Sequence, residues 1–135
     1  MDYAVYISTA PSIYTEAKPK VTTIKLTKGL ITGGFIYFPS GPAATLHLKV
    51  RRGVHQIIPA NPGENYALDD CIVPLFPNIE IDEPPFDIDI LTWNDSASID
   101  HALTISLFID DMAELGKKRS WLSKFLHKEE GLIPK

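Results

Sequence analysis

From Ile99 to Ile109 the chain alternates residue by residue, with His101, Leu103, Ile105, Leu107 and Ile109 in one phase and Asp100, Ala102, Thr104, Ser106 and Phe108 in the other. A two-residue period with apolar side chains in one phase describes a half-buried strand. Residues 43–51 repeat the pattern, with Ala44, Leu46, Leu48 and Val50 opposed to Thr45, His47, Lys49 and Arg51. In residues 86–93, Phe86, Ile88 and Ile90 alternate with Asp87, Asp89 and Leu91. Shorter strands are predicted at Tyr3–Ser8, Val21–Thr27, Phe35–Phe38, Val54–Ile58, Tyr66–Leu68 and Cys71–Phe76. Pro74 cannot donate to a ladder, which places the last of these at an edge or a bulge.

Turn residues separate these runs: Pro39-Ser40-Gly41-Pro42, Arg52-Gly53, Pro59-Ala60-Asn61-Pro62-Gly63, Asp69-Asp70, Asp82-Glu83-Pro84-Pro85 and Asn94-Asp95-Ser96, with Gly33-Gly34 either a turn or a bulge. Eight or nine short strands with no helix between them predict an all-β fold, an antiparallel sandwich or barrel, with a jelly-roll sandwich as the first choice. An immunoglobulin-like domain fits less well, because its Cys–Trp–Cys framework is absent.

Beyond Asp110-Asp111 the period changes. Ser120 is placed to cap a short helix running to about Lys128, with Trp121, Leu122, Phe125 and Leu126 on one side and Lys117, Lys118, Arg119, Lys124 and Lys128 around them. The chain therefore divides into a β-sandwich, residues 1–116, and a basic C-terminal helical arm, residues 117–135. Residues 10–20, with Pro11 and Pro19, read as an extended N-terminal arm.

The charge follows the same division. Residues 1–116 hold seven Lys and Arg against fifteen Asp and Glu, net −8, whereas residues 117–135 hold six against two, net +4. An acidic body repels phosphate backbones, so no direct nucleic-acid binding is expected. With 135 residues, 44% hydrophobic and 22% charged, the chain is long enough to bury a core without a metal, disulfide or cofactor. Its single cysteine excludes an internal disulfide. No apolar run is long enough to span a membrane, and the opening MDYAVYISTAPS lacks the basic and apolar regions of a secretory signal.

Candidate chemistry is sparse. His47, His55, His101 and His127 accompany no nucleophile motif, so no catalytic residue and no enzymatic activity is assigned. His101 lies in the apolar phase of its strand, and Cys71 sits among Ile72, Val73 and Leu75, so both read as packing residues. Asp87 and Asp89 share a strand face and read as a solvated, edge-protecting row. No His or Cys cluster has transition-metal spacing, and Asp69, Asp70 and Asp95 are the acidic loop residues to inspect for calcium. Trp93, Asn94, Asp95 and Tyr66, with Asn65 beside them, are the candidate ligand-binding residues. An exposed indole would stack on a pyranose; otherwise Trp93 covers the open end of the sandwich.

An arm too short to form its own core needs another surface to cover its apolar side. Trp121, Leu122, Phe125 and Leu126, rimmed by Lys117, Lys118 and Arg119, are accordingly the expected partner-binding residues. The landmarks Phe38-Pro39-Ser40-Gly41-Pro42, His55-Gln56-Ile57-Ile58-Pro59, Asn61-Pro62-Gly63 and Trp93-Asn94-Asp95 within Gly33–Asp110 resemble the compact jelly rolls that decorate tailed-virus heads. The resemblance implies a virion protein, a homo-oligomer such as a trimer, attached to another structural protein through its arms. It transfers no catalytic set. The expected function is thus a non-enzymatic structural or adaptor module, with a calcium-assisted carbohydrate-binding sandwich as the alternative.

Overall fold

The structure is a computed structural model and describes residues 1–111 and 120–124. Nine strands form in chain order: β1 (Asp2–Thr9), β2 (Lys20–Lys25), β3 (Gly29–Phe38), β4 (Leu46–Arg52), β5 (His55–Ile58), β6 (Cys71–Leu75), β7 (Ile79–Ile81), β8 (Asp87–Asn94) and β9 (His101–Asp111). One sheet runs β1-β9-β3-β6, with β7 also on β3; the other runs β2-β8-β4-β5. All pairings are antiparallel. Strands β6 and β7 lie along successive stretches of β3, opposite Gly34–Phe38 and Gly29–Ile31, and act as one broken strand.

Counted so, the first strand pairs with the last, the second with the seventh, the third with the sixth and the fourth with the fifth. A long antiparallel ribbon folded over itself in this way is a jelly roll. The all-β sandwich expected from the alternation is what forms. Residues 120–124 form a short helical segment, as expected from Ser120 onward.

The core lies between the sheets. Leu103, Ile105, Leu107 and Ile109 of β9 face Leu46, Leu48 and Val50 of β4 and Ile88 and Ile90 of β8 in one buried cluster. Phe86, expected among them, is only partly buried because it precedes β8. A buried Thr9–Thr92 hydroxyl pair, 2.9 Å apart, ties β1 to β8 across the layers.

Of the two readings of Gly33-Gly34, the bulge is the one that forms: β3 runs straight through, with a register shift against β9 between Ile31 and Gly33. A Cβ on Gly34 would sit 2.1 Å from the Ser106 carbonyl oxygen, so only glycine allows the two backbones to approach this closely. Tyr66–Leu68 contributes a single bridge, Tyr66 to Leu48, rather than a strand. Residues 10–19 are no extended arm; they turn back between β1 and β2, with Thr15 and Lys18 exchanging backbone hydrogen bonds and Asn94 N–H donating to the Tyr14 carbonyl.

The two sheets differ in charge. The strands of the five-stranded sheet contain no Lys or Arg and four carboxylates, Asp2, Glu80, Asp110 and Asp111. Those of the four-stranded sheet carry Lys20, Lys25, Lys49, Arg51 and Arg52 against only Asp87 and Asp89.

Candidate functional site

The residues expected to bind a ligand do come together, but they bind one another. On the outer face of the four-stranded sheet, His47 of β4 stands opposite Trp93 of β8. The imidazole and indole stack, with centroids 4.9 Å apart and planes 3° from parallel. His47 Nε2 lies 2.7 Å from Asp95 Oδ2, and Nδ1 lies 2.7 Å from Asn65 Oδ1. Both ring nitrogens are therefore held by side-chain oxygens, and neither is left to take a proton from a nucleophile. Lys49 Nζ approaches the Trp93 ring at 5.6 Å, a cation–π contact.

Trp93 is only 2% exposed, so the indole offers no open face to a pyranose. Nor does it cover the end of the sandwich, because it points outward from its sheet, opposite in phase to Ile90 and Thr92. Asn94 is equally committed. Its Nδ2 donates to the Thr9 and Ile99 carbonyls, and its Oδ1 accepts from Ser96 N–H, closing the β8–β9 turn. Tyr66 exchanges two backbone hydrogen bonds with Leu48 and so extends the sheet edge beyond β5.

The acidic residues inspected for calcium are used separately. Asp69 Oδ1 accepts from the backbone N–H groups of Gly41 and Ala43 and holds the 39–43 turn. These bonds, Ala43's first and then Gly41's, lower its carboxyl below the ordinary value. Among the described residues no three His, Cys, Asp or Glu side chains are grouped to hold a metal. Asp89 accepts from Thr23 Oγ1 at 2.7 Å and lies 3.6 Å from Arg51 Nε. Its strand is central in the sheet, so Asp87 and Asp89 do not guard an edge as expected. His101 and Cys71 are half-buried, and Cys71 packs against the core.

An open groove of about 500 Å³ runs between β5 and the β6–β7 edge, lined by Ile57, Pro59, Tyr66, Pro74, Phe76 and Ile79 among others. Its polar amide, Gln56, is turned to the backbone: Nε2 donates to the carbonyls of Pro59, Asn61 and Glu64. The groove is of mixed polarity and brings no nucleophile or catalytic base to its walls.

The feature that alternation did not reveal is the outer face of the five-stranded sheet. Register places Tyr6, Thr104, Tyr37 and Ile72 in one row across four strands, and Ala4, Ser106, Phe35 and Pro74 in the next. Phe108 follows, its ring edge-on to Phe35 at 6.3 Å. Tyr6 is 73% and Ile72 63% exposed, and Tyr37 and Phe108 are also exposed. Large exposed apolar patches of this kind mark interaction surfaces. The available signal was apolar residues in both phases of β3 and β6.

Of the residues expected to bind a partner, Trp121 and Leu122 fall in the helical segment and are 66% and 49% exposed. Lys117, Lys118, Arg119, Phe125 and Leu126 lie outside the described residues. No described helix is long and apolar enough to cross a membrane. Comparison with protein-family models, curated proteins and solved structures finds no match to this chain.

Proposed function

We propose that this protein is a non-enzymatic assembly module: a homo-oligomeric structural protein that attaches to another structural protein, as virion decoration and adaptor jelly rolls do. The observation that carries this reading is the aromatic stretch of the five-stranded sheet's outer face, four strands wide and open to solvent. A face of Tyr, Phe, Ile and Pro flanked by Thr and Ser has the composition of an interface centre, where aromatic residues are enriched and charges depleted.

The carbohydrate-binding alternative has less support, because Trp93 and Asp95 are engaged with His47. The test is the mass of the protein in solution by sedimentation equilibrium. A trimer or larger ring supports the assembly reading. A monomer at every concentration, combined with glycan-array binding that a chelator abolishes, would replace it with the carbohydrate reading.

A further inference from the structure

Resting on that assembly reading, we propose that the free edge of β1 is the self-association site: two copies pair their β1 strands antiparallel, and their two five-stranded sheets become one. The backbone decides which groups β1 offers. The Met1 carbonyl accepts from Ile109 N–H, and the register then sets Tyr3 against Leu107, Val5 against Ile105 and Ile7 against Leu103. These odd-numbered residues direct their N–H and C=O groups to β9, so Asp2, Ala4, Tyr6 and Ser8 turn theirs outward. The Ser8 carbonyl agrees with this phase, since Lys20 Nζ of β2 donates to it at 2.6 Å. Among the described residues no strand and no loop backbone pairs with the outward side of β1.

A row of free N–H and C=O groups templates another strand, and exposed edges normally carry a defence against it. The other three sheet edges do. On one, β6 contains Pro74 and β7 has only three residues; β5 has four; β2 carries Lys20 and Lys25. Strand β1 has eight residues in unbroken register with β9, without proline, bulge or cation.

The occupant is a second copy because the strand complements itself. With Val5 on a twofold axis, Asp2 pairs with Ser8 of the second copy and Ala4 with its Tyr6. All four outward residues are then matched, in about eight hydrogen bonds. The one charge of the strand also avoids its own image. Asp2 stands beside Ser8 of the second copy, whose carbonyl already holds Lys20 Nζ, so each end of the pairing joins a carboxylate to an ammonium. A slip of two residues either way leaves one outward residue of each strand unmatched and separates these ions. On the inner face Tyr3 and Val5, only partly buried in one chain, gain Ile7 and Val5 of the second copy as neighbours. On the outer face the row Tyr6, Thr104, Tyr37 and Ile72 continues into Ala4, Ser106, Phe35 and Pro74 of the second copy. The aromatic face is doubled in width and stays open to the other structural protein.

Sedimentation velocity and cysteine cross-linking on the full chain test the pairing. Proline at an outward position removes a donor to the second copy and none to β9. Ala4→Pro is therefore expected to keep the wild-type circular dichroism and to lose the two-chain species. Asp2→Lys should raise the dimer dissociation constant about three- to tenfold, because two symmetric ion pairs are lost, and adding Lys20→Asp should restore it. Val5→Cys in a Cys71→Ala background should oxidise to a covalent dimer. Facing Cα atoms in such a pair lie about 4.5 Å apart, within the roughly 4.4–6.8 Å that disulfides span. That cross-link decides the matter should Ala4→Pro fail to fold. Association that survives in folded Ala4→Pro, an absent cross-link, a charge swap that restores nothing, or a wild-type species with an odd number of chains overturns the edge pairing and leaves the assembly reading standing. A wild type that is monomeric at every concentration removes both.

Discussion

Gly34 and Asp69 show how much of this fold depends on single backbone contacts. A methyl group on Gly34 would meet the Ser106 carbonyl oxygen and, at 3.1 Å, the Leu107 Cα, both on the neighbouring strand. Neither is a flexible side chain that can yield. Gly34→Ala should therefore lower stability by about 1–3 kcal/mol, the usual range for overpacking, measured by urea unfolding. Asp69 is the residue through which acid is expected to act on the 39–43 turn. Its folded carboxyl ionises at lower pH than the same group in the unfolded chain, because two backbone N–H groups favour the carboxylate. The stabilisation is thus fully present above the ordinary value of 3.8 and fades as pH falls through the lower folded value. Asp69→Asn should be less stable than wild type at neutral pH, and the gap should close on the acid side of 3.8. A gap that holds constant with pH would mean charge plays no part in holding the turn.

At the scale of elements, strand existence was legible wherever one phase was apolar and the other polar. Strands β4, β8 and β9 show this, with Leu46, Ile90 and Ile105 completely buried. Legibility failed where a local signal had two physical meanings. Gly33-Gly34 fits a turn or a bulge, and what selects the bulge is β9, about seventy residues downstream. Strand β7 has three residues behind Pro77-Asn78, too few to establish a period. Residues 10–19 contain the prolines of an arm, but the contact that fixes them, Asn94 to Tyr14, is set by tertiary structure. The candidate site failed likewise: Trp93 at the end of its run reads as a cover for the sandwich or a ligand platform, and neither reading reveals a stacking partner on another strand. The long β5–β6 connection yields an element-level prediction. Gln56 fastens it by presenting one amide nitrogen to three carbonyls. Gln56→Glu puts an acceptor against those same oxygens, so stability should drop by about 1–3 kcal/mol. Limited proteolysis within 59–64 should quicken, and cleavage unchanged from wild type would show that the loop is held by other means.

For the whole molecule, the jelly-roll winding carries the chain back and forth between the two layers, so each layer collects its residues from distant parts of the chain. The charge division visible in the sequence, acidic to residue 116 and basic after it, is therefore accompanied by a second one that no linear segment reveals. Five cations and two carboxylates sit in the strands of one sheet, and four carboxylates without a Lys or Arg in those of the other. The two layers pack roughly 10 Å apart, close to one Debye length at physiological salt. A flat surface approached by one layer therefore feels mainly that layer. At physiological ionic strength the protein should be retarded by both anionic and cationic exchange resins despite its net charge of −4. It would bind them in opposite orientations, the four-stranded sheet toward the anionic resin and the five-stranded sheet toward the cationic one. Retention on the anionic resin should weaken when Lys49, Arg51 and Arg52 are replaced by Gln, with the six Lys and Arg of residues 117–135 supplying what remains, whereas retention on the cationic resin should persist. The winding thus makes the molecule a two-sided tile, and any surface with a sign of its own decides which side it shows to the solvent.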